Sequence, residues 1–160
     1  MRRPVWFTLL VLLGVAVDAL SKTVVFHYLR PDERALIIPG VLEIVRAQNT
    51  GVAFSLLVGR PIFILAVDLA FIVGAVWVYI KYWRVGETLA ILALGLLLIG
   101  AVGNLSDRLW FHYVRDFIDF VPRLPLIGHW AIFNIADACI VASVVLFLVQ
   151  ELFLKKRRIG

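Results

Sequence analysis

The chain has 160 residues, of which 62% are hydrophobic and 17% charged, an apolar excess that a soluble domain of this length has too little interior to bury. Disorder is excluded by the same composition, and a single cysteine excludes both an internal disulfide framework and a multi-cysteine zinc site. The formal net charge of +5 fits either nucleic acid or the cytoplasmic flanks of a membrane protein, and the clustering of the cations decides for the membrane and against nucleic acid.

Four apolar stretches, at about 5–27, 61–83, 88–110 and 132–154, reach the length of about 20 residues that a bilayer-spanning helix needs. The first reads as a retained span rather than a cleaved signal peptide, because its apolar run is long and contains Asp18 and Lys22. Asp18 and Lys22 share a helical face at i, i+4, the plain reading being an ion pair that neutralises two costly charges. In the connection 28–60, the β-branched run Ala35 to Val45 surrounds Pro39-Gly40 and predicts a small hairpin or sheet on the membrane surface. Asn49-Thr50-Gly51 is a second turn signal, and the apolar Val52-Ala53-Phe54 after it predicts an interfacial segment.

Pro61 opens the second span, which carries an isolated acid, Asp68, read as structural or interfacial. The third span places Asn104, Asp107 and Arg108 on one face at i, i+3 and i+4. A loop follows over 111–131, containing Asp116 and Asp119, and the fourth span carries Asn134 and Asp137 at i, i+3. Hydrogen bonding between helices is the structural reading of these asparagines. His27, His112 and His129 have no metal-ligand spacing, and Cys139 lies among small apolar residues with no base near it in sequence. No metal and no cofactor is expected.

Orientation follows from the cations. Arg2 and Arg3 precede the first span, Lys81 and Arg84 flank the short second connection, and Lys155, Lys156, Arg157 and Arg158 close the chain. Arg30, Arg34, Arg46, Arg60, Arg115 and Arg123 are spread thinly over the two long connections, among acids. Both termini are therefore expected in the cytoplasm and the long connections outside. Asp18, Asp68, Asp107 and Asp137 then all fall in the outer half of the bilayer, which predicts a site open to the outer face.

With no serine–histidine pair, thiol dyad or metal cluster, carboxylate is the catalytic material on offer. Two carboxyl groups held together share one proton, so the ionised member can activate water while the protonated one polarises a carbonyl. Asp137, near the start of a helix, is the natural ionised member. Asp107, Asp116 and Asp119 all remain open as its partner on geometry from sequence. Asp107, beside Arg108, suits a structural anion, whereas Asp116 is placed where closure over a substrate would desolvate it.

Five segments in order carry a resemblance to a known family: Asp18-Ala-Leu-Ser-Lys22, Asn49-Thr-Gly-Val-Ala-Phe54, Gly100-Ala-Val-Gly-Asn104-Leu-Ser-Asp107-Arg108, Val114-Arg-Asp116-Phe-Ile118 and Phe133-Asn134-Ile-Ala-Asp137. Over nearly its whole length the chain resembles the bacterial lipoprotein signal peptidases (signal peptidase II). Ile99 departs from the pattern, standing where the family usually has the first of two adjacent glycines. The resemblance implies a mainly α membrane protein, one integral-membrane domain over 1–160, with four transmembrane helices and a small β-cradle and interfacial segment on the outer side. It implies an aspartyl endopeptidase of the bacterial cytoplasmic membrane, acting on prolipoproteins just before a cysteine that carries S-diacylglycerol, in contact with membrane lipid; a monomer is expected, though the sequence does not itself say that the chain works alone. By motif match the catalytic pair falls on Asp116 and Asp137. Asp18, Lys22, Asn49, Gly51, Asn104, Asp107, Arg108 and Asn134 fall on supporting or substrate-binding positions.

Two rival classes are weaker. A proton-relay transporter should place polar groups near the midplane with access to both faces, yet the inner half of this bundle is apolar. A purely structural subunit has no need of an acid pair across a span end and a loop.

Overall fold

A computed structural model describes residues 3–51, 59–84, 87–124 and 128–159. The order is α1 (Arg3–Tyr28), β1 (Ala35–Ile38), β2 (Leu42–Asn49), α2 (Pro61–Tyr82), α3 (Thr88–Phe111), β3 (Val114–Phe120), β4 (Arg123–Leu124), β5 (Gly128–His129) and α4 (Ile135–Ile159). All four helices are long and apolar enough to cross a membrane. The mainly helical architecture with a small sheet is the one the sequence predicts. The expected interfacial stretch at Val52-Ala53-Phe54 lies outside the described residues.

Helix α3 is the central element, packing against α1, α2 and α4. Small residues make this possible. A Cβ on Gly103 would lie 2.6 Å from Asp18 Oδ2 and 3.2 Å from Ala136 Cβ, and one on Gly100 would lie 2.5 Å from the Ala136 carbonyl. α1 and α4 therefore reach the α3 backbone only because side chains are missing there. Ile99 is buried and fills the space left by Gly14, whose Cβ would meet Ile99 Cγ1 at 2.6 Å.

The bundle is divided along its length. Near the starts of α1 and α3, Phe7 stacks on Tyr79 with ring centroids 3.7 Å apart, and Leu94, Leu98 and Ala75 close an apolar core. At the opposite end Asp18, Lys22, Asn104, Asp107 and Asn134 are buried. The outward faces are apolar, with Leu13, Ile62, Trp77, Trp110 and Leu148 all more than half exposed, as lipid contact requires.

The sheet lies at the polar end, in the order β1-β2-β3, all antiparallel. The predicted hairpin is β1–β2: Gly40 takes φ +72° and the Val41 N–H closes the turn on the Ile38 carbonyl at 2.9 Å. The third strand corrects the expectation of a loop over 111–131. Val114–Phe120 pairs with β2, Ala47 opposite Asp116 and Glu43 opposite Asp119. His112 ends α3 in the left-handed region at φ 66°, turning the chain straight into β3. On its other side β3 meets Phe133, whose N–H and carbonyl both pair with Ile118, at 3.0 and 2.8 Å. That pairing keeps Phe133 extended, so α4 begins at Ile135 rather than at 132.

Candidate active site

The site is assembled where β3, the end of β2, α3 and the start of α4 converge. Asp116 is buried in β3. Its Oδ1 accepts Asn134 Nδ2 at 2.6 Å and its Oδ2 accepts Asn49 Nδ2 at 2.9 Å. Asp137 stands in the first turn of α4 and is partly exposed. Asn104 Nδ2 donates to its Oδ1 at 2.7 Å, and the Asn134 backbone N–H donates to its Oδ2 at 3.1 Å. Asn134 therefore touches both carboxylates. Burial, and then the nearby charge of Asp137, push the Asp116 carboxyl up to about 7, against the opposing pull of Asn49, Asn134 and Lys22. A carboxyl group poised there holds or releases a proton near neutral pH.

Behind the pair lies a charge-balanced cluster. Lys22 Nζ, fully buried, is 2.7 Å from Asp18 Oδ2 and 3.5 Å from Asp107 Oδ2, and it donates to Asn104 Oδ1 at 3.1 Å. Asp18 Oδ1 accepts the Ala136 N–H at 2.9 Å, tying α1 to the start of α4. The Asp18–Lys22 pair is the i, i+4 pair the spacing predicts. By holding Asn104 and Ala136, it supports both neighbours of Asp137.

Two expectations are corrected. Asp107 is held by Arg115, not by the adjacent Arg108: its Oδ1 accepts Arg115 Nη2 at 2.8 Å and Nε at 3.1 Å, and its Oδ2 accepts the Arg115 backbone N–H at 2.9 Å. Neighbours in sequence on a helix point about 100° apart, so Arg108 faces elsewhere. Asp68 is not isolated, because Arg108 Nη1 lies 2.7 Å from its Oδ2, while Arg108 Nη2 donates to the Gly51 carbonyl at 3.2 Å. Arg115 is a site residue that spacing on α3 does not reveal; its signal in the sequence is its place beside Asp116 in the segment Val114-Arg-Asp116-Phe-Ile118. Asp119 is on β3 three residues beyond Asp116, with Arg34 Nη1 3.4 Å from its Oδ2. It shares Arg34 with Glu43 at the sheet, and it is not one of the two carboxylates that Asn134 joins. Among the described residues no group of three or more His, Cys, Asp and Glu is placed to hold a metal ion.

Four bilayer-length helices with two asparagine-linked acids, one buried and one partly exposed, beside a small sheet place the chain among membrane proteins equipped for paired-carboxylate chemistry. The family model described as signal peptidase (SPase) II matches residues 10–153, and the chain belongs to that family. It is accordingly an aspartic-type peptidase. Curated relatives named lipoprotein signal peptidase include that of Chlorobaculum tepidum, 35% identical over 94% of this chain and 97% of the relative. Those of Shouchella clausii and Bacillus subtilis are 40% and 34% identical, over 88% and 91% of this chain and 89% and 92% of their own lengths. A solved structure described as a bacterial membrane enzyme matches with a TM-score of 0.81 at 28% identity, covering 91% of this chain and 87% of that one.

Proposed function

We propose that this chain removes the signal peptide from prolipoproteins, cutting before a cysteine that carries S-diacylglycerol, and that Asp116 and Asp137 are its catalytic pair. The observation that carries the assignment is Asn134, whose amide holds Asp116 while its backbone N–H holds Asp137. Asp116, pushed up to about 7, supplies the shared proton to the scissile carbonyl oxygen. Asp137, its oxygens each occupied by an N–H donor, acts as the ionised base and takes a proton from the attacking water. The resulting tetrahedral diol collapses as the leaving nitrogen is protonated, and the pair returns to its one-proton state. Asn49, Asn104 and Asn134 keep the two acids in register, while Asp18, Lys22, Asp107 and Arg108 support them.

The cation asymmetry supports cytoplasmic termini, with the sheet and the acid pair on the outer side of the bacterial cytoplasmic membrane. A substrate anchored by its own lipid would then reach the site from the bilayer, and a single chain suffices because all of these groups come from one copy. The test is incubation of purified protein with a diacylglyceryl-modified precursor, followed by mass measurement. Release of the signal peptide with the lipidated cysteine as the new N-terminus is expected, with cleavage persisting in a strong chelator. Equal cleavage of unmodified precursor would overturn the substrate assignment, and activity restored only by added zinc would overturn the acid-pair mechanism.

A further inference from the structure

Asp68 has no part in the reaction proposed above, yet it begins a chain of contacts that ends on Asp116. The Asp68–Arg108 pair bridges α2 and α3 with side chains only 15% and 12% exposed. A guanidinium is a rigid planar fork, so fixing Nη1 on an anion also fixes where Nη2 points. Here Nη2 donates to the Gly51 carbonyl at 3.2 Å. The Gly51 N–H in turn donates to Asn49 Oδ1 at 3.0 Å, which leaves Asn49 Nδ2 directed at Asp116 Oδ2, 2.9 Å away. Asn49 is the last residue of β2 and pairs with Val114 at the very end of the ladder, so the backbone is held there while the side-chain amide is aimed by the Gly51 turn.

We propose that Asp68 is a positioning residue for peptide cleavage: by anchoring Arg108 it holds the Gly51 turn, and through that turn the Asn49 amide, against Asp116. The inference rests on the assignment of Asp116 to the catalytic pair. A purely structural ion pair would neutralise two charges between α2 and α3 and would have no need of the second guanidinium nitrogen on a backbone carbonyl.

The two roles separate in a pH profile. Asp116 is faced by Asp137 and Lys22 as charged groups and by Asn49 and Asn134 as donors. Loosening Asn49 removes a donor that favours the ionised form, so Asp116 keeps its proton to higher pH. Asp68→Asn should lower kcat/KM by about tenfold through misplacement of the site and move the basic limb of its pH profile upward. Mere destabilisation lowers the active fraction without moving that limb. Asn49→Ala should move the limb in the same direction, and adding Asp68→Asn to it should move the limb no further. Arg108→Lys, which keeps a cation beside Asp68 but lacks the second nitrogen, should give the same upward shift and carries the test if Asp68→Asn does not insert. A limb that stays put in both Asp68→Asn and Arg108→Lys, or shifts that add in full with Asn49→Ala, would overturn the proposal. Failure of the catalytic assignment reads differently, as retained cleavage in Asp116→Asn.

Discussion

Asn134 and Asp137 cap each other at the start of α4: the Asp137 backbone N–H donates to Asn134 Oδ1 at 3.0 Å, and the Asn134 backbone N–H donates to Asp137 Oδ2 at 3.1 Å. This is a reciprocal capping box with aspartate in the third position. Helix initiation and the placing of an acid are therefore one structural event, and the remaining Asn134 nitrogen reaches Asp116. Asn134→Ser can still cap the helix but cannot span to Asp116. Thermal stability should fall by about 1–3 kcal/mol, from the buried hydrogen bonds to Asp116 and Asn104 rather than from the cap, while cleavage per folded enzyme falls about a hundredfold. A loss of cleavage no larger than the loss of folded protein would show that the residue serves only the helix.

Asp116→Asn and Asp137→Asn should each remove cleavage by several orders of magnitude while the protein still inserts and unfolds cooperatively. Asp119→Asn should retain most activity, because its carboxylate lies with Arg34 at the sheet. Rates on a lipidated precursor, compared at matched amounts of folded enzyme, distinguish these outcomes.

The buried Asp116 also ties stability to pH. Its carboxyl gives up a proton at the ordinary value of 3.8 when unfolded and at about 7 when folded. The folded state thus binds the extra proton between those values. The stability this contributes is full below 3.8 and is lost as pH rises through about 7. Asp116→Asn lacks that dependence. Relative to the parent, its melting temperature should therefore rise as the pH is taken from about 5 to about 8. A difference independent of pH would mean that Asp116 is not held protonated in the folded protein.

Features set within one element were legible from spacing, whereas contacts between elements were legible only in kind, as asparagines bonding across helices, and not in which residue meets which. The spacing of Asp18 and Lys22 on one helix predicts their pair, and the β-branched run around Pro39-Gly40 predicts the hairpin. Strand β3 was hidden because Arg115, Asp116 and Asp119 interrupt its apolar alternation of Val114, Ile118 and Phe120. These charges are tolerated in a buried strand only because Asp107, Asn134, Asn49 and Arg34 meet them from other elements. For the same reason the sequence neighbour Arg108 was a poor guide to Asp107. Which arginine meets which aspartate depends on how α3 is rotated among its neighbours, and the close approach of α1 and α4 at Gly100 and Gly103 constrains that rotation.

Asp107 provides the sharpest separation of structural from catalytic acid. It accepts three N–H groups of Arg115, one from the backbone and two from the guanidinium, and it lies 3.5 Å from Lys22. Both cations are buried, so neutralising Asp107 leaves positive charge without its anion. Breaking a buried pair from one side costs about 3–5 kcal/mol, and an amide nitrogen would face donors where an acceptor is needed. Arg115 immediately precedes Asp116, so its release also displaces the start of β3. Asp107→Asn should therefore lose thermal stability together with cleavage. Adding Arg115→Gln, which removes one stranded cation, should recover part of the stability, since a neutral pair can hydrogen-bond where a lone charge cannot. The measurements are unfolding temperature and initial cleavage rate for both single variants and the double. A stably folded Asp107→Asn that is dead, alongside an Asp116→Asn that cleaves normally, would move the catalytic role from Asp116 to Asp107.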